Sequence, residues 1–194
     1  MIHSLHHDYQ RIRDHSVDLM TGLSAEDAQA QSMPDASPIK WHLAHTTWFF
    51  ETFILEQHEP AFTPFRDTFR GLYNSYYNSI GEQYPRSQRG LITRPSLDEV
   101  IAYRHAIDRR IAGLIDTQGL NTDWAPLMVL GLQHEQQHQE LMLTDLKHLL
   151  SLNPAGPIYR PEFETFEPPA ECPRWISLEG GLIEIGADGF AGRH

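Results

Sequence analysis

The stretch that decides the fold runs from residue 121 to residue 152 and reads NTDWAPLMVLGLQHEQQHQELMLTDLKHLLSL. It predicts one long helix that is capped by Asn121 or Thr122 and ends near Leu152. Pro126 is compatible with this helix only because it lies close to the beginning. Together with the helical segments that precede it, this stretch predicts a helical bundle.

Capping residues, glycines and prolines mark the earlier helices. The expected helices are the first 20 residues up to Gly22, a short helix after Ser24, a helix from Ser37 to about His58, one around Phe65–Ile80, and one from the capping box Ser96–Glu99 to about Thr117. The fold class expected from these elements is mainly α, in the form of an up-and-down helical bundle over residues 1–153.

The character of the chain changes after the bundle. Residues 154–173 are rich in proline and predict an extended linker. In residues 174–194, two short apolar runs flank Gly180-Gly181 and predict two strands joined by a tight turn within Trp175–Gly186. Because an isolated hairpin is marginal in water, we expect this truncated β start to belong to a second domain that continues beyond the chain.

Composition narrows the class of protein. Of 194 residues, 40% are hydrophobic and 21% charged, as in ordinary globular domains. The net charge of −11 argues against a nucleic-acid partner. The sequence has neither a secretory signal nor an apolar run of the ~20 residues that a membrane span requires. Its single cysteine, Cys172, excludes an intramolecular disulfide, and we expect a cytoplasmic protein without a membrane partner.

Histidines are unusually frequent, with 12 against 15 lysines and arginines. His134 and His138 lie four residues apart, so both fall on one face of the last helix. We predict that this face points inward, together with Leu127, Leu130, Gly131, Leu141, Asp145 and His148. Buried histidines need polar partners, and a metal ion is one such partner.

The helix from Ser37 supplies a third histidine. His45 lies near the middle of a face with Trp41, Trp48, Phe49 and Thr52, whereas His42 lies at its edge. We predict His45, His134 and His138 as a three-nitrogen metal site between facing helices, the alternative being that His45 is a hydrogen-bonded core residue. Imidazoles suit zinc, copper, iron and nickel alike, so Lewis-acid hydrolysis and oxidative chemistry both stay open.

His134-Glu-Gln-Gln-His138 also matches the H-E-x-x-H pattern of zinc proteases, in which Glu135 would be the general base. The extended form of that motif requires glycine at Leu141 and histidine at Thr144, and neither is present. The acids that follow Asp145 lie only in the predicted linker or hairpin. A zinc hydrolase is therefore the least favoured alternative.

Three segments together resemble the bacterial ergothioneine-biosynthesis sulfoxide synthases. They are WHLAHTTWFFE at 41–51, YNSYYN at 73–78 and QHEQQHQEL at 133–141. The resemblance extends over nearly the whole chain. It implies a DinB-like four-helix bundle followed by a domain like that of the formylglycine-generating enzyme, of which residues 174–194 would be the beginning.

In that family, non-haem iron(II) held by three histidines uses O2 to join a cysteine-type thiol, cysteine or γ-glutamylcysteine, to N-α-trimethylhistidine (hercynine), which gives a sulfoxide. The resemblance assigns the iron ligands to His45, His134 and His138. It places Gln137 against the trimethylhistidine imidazole, and Arg86 or Arg89 in a loop that binds the carboxylate of the thiol substrate. Ordinary solvated loop arginines are the alternative for both.

The family's catalytic tyrosine and most of its substrate contacts belong to the second domain. No catalytic residue is therefore assigned within these 194 residues, and we expect them to be inactive alone. Two further alternatives stay open. One is the selenium-transferring relative that makes selenoneine, and the other is a non-catalytic DinB-like metal-binding module.

Overall fold

Seven α-helices form the described part of the chain, which contains no strand. The computed structural model describes residues 2–119, 123–161 and 174–185, with side chains from residue 5 onward. The helices are α1 Ile2–Asp18, α2 Ala25–Gln29, α3 Ile39–Phe50, α4 Glu56–His58, α5 Phe69–Leu72, α6 Leu97–Gln118 and α7 Ala125–Ser151. A π-helical segment, Glu51–Leu55, joins α3 to α4, and a 3₁₀ helix, Arg86–Leu91, precedes α6. The predicted mainly α fold is confirmed.

Two helices begin at the predicted capping boxes. The Ser24 hydroxyl accepts from the Asp27 amide at 3.1 Å, and the Asp27 carboxylate accepts from the Ser24 amide at 2.9 Å. Ser96 and Glu99 make the same reciprocal pair at the beginning of α6. Each box satisfies two backbone donors that have no partner inside the helix, which is why these boundaries are readable in the sequence.

Helix α3 lies at the centre of the bundle. It contacts α2, α6 and α7, while α1 packs against α7. All twelve residues of α3 are buried, so the helix is enclosed on every side. Polar side chains on α3 must therefore find partners inside the protein, and this requirement applies to both of its histidines.

The π-helical segment continues α3 without a break to His58, the end that the sequence predicts. Its first residue, Glu51, is buried and accepts a hydrogen bond from the Tyr103 hydroxyl. The other carboxylate oxygen of Glu51 accepts from the Phe65 amide at 2.7 Å. A buried carboxylate thus ties the π segment to α6 and to the loop that follows α4.

The helix predicted around Phe65–Ile80 is wrong in extent, because only Phe69–Leu72 is α-helical. The reason is Asn74, whose buried amide donates to the carbonyl oxygens of Tyr77, Gly81 and Glu82 at 3.1–3.3 Å. These side-chain bonds organise the backbone as a loop in place of a helix.

The chain after α7 departs from the prediction in two ways. Residues 174–185 contain no strand where two were predicted, and their side chains are exposed. An isolated hairpin is only marginally stable, and these residues pack against no sheet in the described part of the chain. The beginning of the predicted linker is attached to the bundle, since the Tyr159 hydroxyl donates to the Leu19 carbonyl at 2.5 Å and Arg160 pairs with Asp18 at 3.1 Å.

Several predicted features lie outside the described residues: the caps Asn121 and Thr122, the linker from residue 162 to 173 with Cys172, and residues 186–194. Helix α7 begins at Ala125, directly after the buried Trp124, with Pro126 in its first turn. Among the described helices, none combines the length and the apolar character needed to cross a membrane.

Gly131 allows α7 to approach α3 closely. A Cβ at this position would lie 2.7 Å from Phe50 Cε1 and 2.9 Å from Phe49 Cε1, whereas a Cβ at Gly113 of α6 would meet nothing within 4 Å. Both phenylalanines are buried, so their rings have little room to move. We expect Gly131→Ala to lower the free energy of unfolding by about 1 kcal/mol or more through overpacking. Gly113→Ala is expected to raise it by roughly 0.5–1 kcal/mol through helix propensity.

Urea denaturation of both variants measures the pair. Both variants replace glycine with alanine inside a helix, so a difference in the sign of the stability change reports the close approach of α7 to α3. Stabilisation by Gly131→Ala equal to that by Gly113→Ala would contradict tight packing of α7 on α3.

Candidate metal centre

Three histidines from two helices converge inside the bundle. His45 on α3 and His134 and His138 on α7 each bring a ring nitrogen within 4.8 Å of the others. The Nε2 atoms of His45 and His134 are 3.2 Å apart. Two imidazole nitrogens bound to one ion at about 2.1 Å each can be no more than about 4.2 Å apart, so the observed separation fits a shared ion. The structure thus brings the predicted set together and positions it to bind a metal.

The orientation of His45 leaves one nitrogen free for a metal. Its Nδ1 lies 2.6 Å from the carbonyl oxygen of Tyr73. A carbonyl oxygen only accepts hydrogen bonds, so Nδ1 carries the hydrogen and Nε2 carries the lone pair. This lone pair points toward His134. A backbone acceptor on the far nitrogen is the usual partner of a metal-binding histidine.

Two tryptophans hold the His45 ring between them. The Trp41 ring stacks on it with a centroid distance of 4.6 Å and an interplanar angle of 12°, and Trp48 lies on the other side at 5.6 Å and 15°. The Arg89 guanidinium stacks on the far side of Trp41, 3.3 Å from the ring centroid. With both faces covered and Nδ1 bonded, His45 has a single ring orientation.

Burial keeps the three imidazoles uncharged near neutral pH. It lowers the pKa of His134 to about 4 and, with the neighbouring histidines, lowers the pKa values of His45 and His138 as well. Neutral imidazole is the form that binds metal ions, so no proton has to be removed from these side chains first.

His134 differs from its neighbours because its Nδ1 is buried and has no hydrogen-bond partner among the described residues. Its Nε2 lies 3.2 Å from the Nε2 of His45, and its ring packs beside Phe49 with a centroid distance of 5.1 Å. A half-buried imidazole whose Nδ1 is enclosed without a polar partner is poorly satisfied by the protein alone. Together with the all-nitrogen donor set, this fits a divalent transition metal.

His42 is not in the converging set but contacts it. Its Nδ1 lies 2.8 Å from Nδ1 of His138, and its Nε2 lies 3.1 Å from a carboxylate oxygen of Asp145. The sequence places His42 at the edge of the α3 face but indicates no partner. His42 is 2% exposed, and its ring lies beside that of His138 with a centroid distance of 5.0 Å.

The YNSYYN segment supports the centre from one side. The Tyr73 carbonyl orients His45, Asn74 organises the loop, and Ser75 Oγ accepts from Arg89 at 2.9 Å. In the sequence this segment contributes only to the family resemblance, and its contact with His45 is not predicted. The sequence signal that could have indicated a role for this segment is its cluster of loop-forming and aromatic residues between two helices.

The three predicted substrate residues lie in different environments. Arg89 is buried and donates to Ser37 Oγ as well as to Ser75 Oγ, so it is part of the framework. Burial, with the nearby Arg86, lowers the pKa of Arg89 to about 10. Arg86 is exposed and donates to the Tyr76 hydroxyl at 3.1 Å, and Gln137 is exposed on α7 between the two histidines of that helix.

Glu135 is unavailable as a general base. Its carboxylate is fully buried and accepts from Arg13 at 3.0 Å, from Ser16 at 2.6 Å and from Arg104. Burial alone would raise the pKa of Glu135, but Arg104 and Arg13 outweigh it and lower the pKa to about 2. The zinc-protease role considered for Glu135 is therefore wrong, since that role needs a carboxylate free to take a proton beside the metal.

The same ion pairs correct the predicted inward face of α7. The buried residues are Met128, Gly131, Leu132, Glu135, His138, Gln139, Met142 and Leu146. At 100° per residue this stripe is centred near Glu135, with the histidines toward one edge. Leu130, predicted to point inward, is 46% exposed. The helix is turned toward Glu135 because that carboxylate must reach both arginines.

The model of the DinB superfamily matches residues 8–142, from the first turns of α1 to the last part of α7. The match includes all three converging histidines. A comparison with curated proteins finds no match. Because the matched residues make up more than half of its length, the chain belongs to the DinB superfamily.

Proposed function

We propose that this chain is the iron-binding part of a non-haem iron(II)- and O2-dependent sulfoxide synthase that joins a cysteine-type thiol to N-α-trimethylhistidine. The observation that carries the proposal is the convergence of His45, His134 and His138, a set that includes no carboxylate among the residues that the structure describes. When bound there, iron(II) would keep open positions for O2 and substrate. The three sequence segments that resemble the ergothioneine-type enzymes all lie around this centre.

The protein's own side chains have separate tasks in this proposal. The tryptophan pair and the Tyr73 carbonyl hold His45 in one orientation. The exposed side chains of Gln137 and Arg86 are the ones able to reach substrate, the first toward an imidazole and the second toward a carboxylate. Arg89 supports Trp41 in this proposal, since its guanidinium lies over the Trp41 ring.

We also propose that residues 174–194 begin a second domain that completes the substrate site. The supporting observation is that Trp175 and five further apolar side chains between residues 176 and 185 are each more than 80% exposed. Large apolar side chains that are exposed so close together are typical of a segment that packs against another domain or partner. Two substrates must be oriented at one metal, and such positioning supplies several kcal/mol of a reaction barrier.

A mass-spectrometric assay tests the proposal. The 194-residue chain and a longer product of the same reading frame are loaded with Fe²⁺ anaerobically, then given O2, trimethylhistidine and either cysteine or γ-glutamylcysteine. We expect sulfoxide from the longer protein and none from the shorter. Robust turnover by the shorter chain would overturn the second-domain argument, and no turnover by either would overturn the proposed reaction.

A metal-binding module without catalysis is the second candidate. It is favoured by the extent of the superfamily match, which contains the whole histidine centre and ends at residue 142. Stoichiometric metal binding by both proteins without turnover would favour it. A selenium donor in the same assay separates the selenoneine-type variant from the sulfur enzyme.

A further inference from the structure

We infer that His42 and Asp145 form a hydrogen-bonded relay that holds His138 as the Nδ1–H tautomer, so that His138 Nε2 is its metal-binding atom. The inference rests on the proposed metal site and does not depend on sulfoxide chemistry. It makes His42 and Asp145 positioning residues, although the sequence gives no sign of a role for His42.

The relay begins at Asp145. One of its carboxylate oxygens, Oδ2, accepts from the Ser37 backbone amide at 2.8 Å and lies 3.1 Å from His42 Nε2. An ionised carboxylate has no hydrogen to donate, so the hydrogen in the second contact belongs to His42 Nε2.

The assignment then passes to His138. A neutral imidazole has one ring hydrogen, so a hydrogen on His42 Nε2 leaves a lone pair on His42 Nδ1. That atom lies 2.8 Å from His138 Nδ1, which must therefore donate. The ring hydrogen of His138 is thus on Nδ1, and its lone pair is on Nε2.

The same reasoning excludes His42 as a fourth ligand, because both of its nitrogens are engaged within the relay. His138 gains a backing acceptor that matches the Tyr73 carbonyl behind His45. Loss of such an outer partner typically weakens metal affinity by about 10–100-fold, because the ligand ring loses its tautomer and orientation.

The tautomers are measurable in the metal-free protein at pH 7.5 by ¹⁵N NMR of histidine-labelled samples. We expect His138 to carry its hydrogen on Nδ1 and His42 to carry its hydrogen on Nε2. His148, whose Nδ1 contacts Ser32 away from the centre, serves as an internal reference. A hydrogen on Nε2 of His138 would overturn the relay, whether or not the protein binds metal.

Anaerobic Co²⁺ titrations give the second readout. His42→Phe removes the acceptor and is expected to raise Kd about 10–100-fold. His42→Gln keeps an oxygen acceptor and should therefore raise Kd less than His42→Phe. Asp145→Asn keeps an acceptor for His42 and should also raise Kd less than His42→Phe, while His148→Phe should bind like the wild type. A Kd for His42→Phe within twofold of wild type would overturn the inference. So would a loss as complete as that of His138→Ala, which would make His42 a ligand.

The proposed metal site and the proposed relay can be contradicted independently of each other. If wild-type protein binds no Co²⁺, the metal site is wrong, and the tautomers measured in its absence still decide the relay. If Co²⁺ binds but His138 is in the other tautomer, only the relay is wrong.

Discussion

Replacing His134 with alanine is expected to abolish useful metal affinity, and alanine at His45 or His138 should do the same. Each change removes one of three nitrogen donors. Structural sites with four ligands bind zinc with about 10–16 kcal/mol, which is about 2.5–4 kcal/mol for each ligand. The expected rise in Kd is therefore roughly 10²–10³-fold for each variant. Anaerobic titration with Fe²⁺ or Co²⁺, with metal analysis of the purified protein, measures it.

A histidine outside the centre is the matched control. His148 lies on the same helix as two of the ligands but contacts Ser32, so His148→Ala should retain the ion. Circular dichroism verifies that each variant is folded. Retention of wild-type affinity by His45→Ala would show that His45 is not a ligand, and the proposed centre would be wrong.

Glu135→Gln is expected to destabilise the fold by about 3–5 kcal/mol, because it removes the negative charge that both Arg13 and Arg104 contact. Both guanidinium groups are buried, and Asp108 would remain as a partner of Arg13 alone. Domains of this kind are stable by only about 5–15 kcal/mol, so the loss is a large fraction of the total. Thermal unfolding should show a decrease in Tm on the order of 10 °C.

Glu140→Gln on the same helix is the control, since Glu140 is exposed and its replacement should change stability by less than about 0.5 kcal/mol. A Glu135→Gln protein with wild-type Tm would contradict the structural role of this carboxylate. It would also return Glu135 to consideration as a chemical group beside the metal.

Features that depend on neighbours in the sequence could be predicted. The capping boxes at Ser24 and Ser96 are local hydrogen-bond patterns, and the spacing of His134 and His138 follows from helix periodicity alone. His45 could be added to this pair of histidines because it shares a helix face with Trp41 and Trp48. The convergence of the three histidines was therefore accessible before the fold was known.

Features that join distant parts of the chain could not be predicted. Glu135 pairs with Arg13, which is 122 residues away, and this pairing decides how α7 is turned about its axis. His42 and Asp145 are likewise 103 residues apart. No periodicity identifies either pair, because the chain has many exposed charges with the same local surroundings. The loop around Asn74 was missed for a different reason: its hydrogen bonds are local, but helical periodicity does not show that a side chain will bond to nearby backbone carbonyls.

The π-helical segment Glu51–Leu55 has a consequence for how this helix can change over evolutionary time. A π turn accommodates one more residue than an α turn, so it shifts the angular phase of everything that follows it by about 100°. His45 and its tryptophan partners precede the shift, whereas the carboxylate that binds Tyr103 and the end of the helix lie within or after it. A single-residue insertion or deletion here would repack the distal half against α6 and leave the histidine centre in place. Gap-free alignments drawn through residues 51–55 would therefore pair non-equivalent positions in relatives that lack the extra residue.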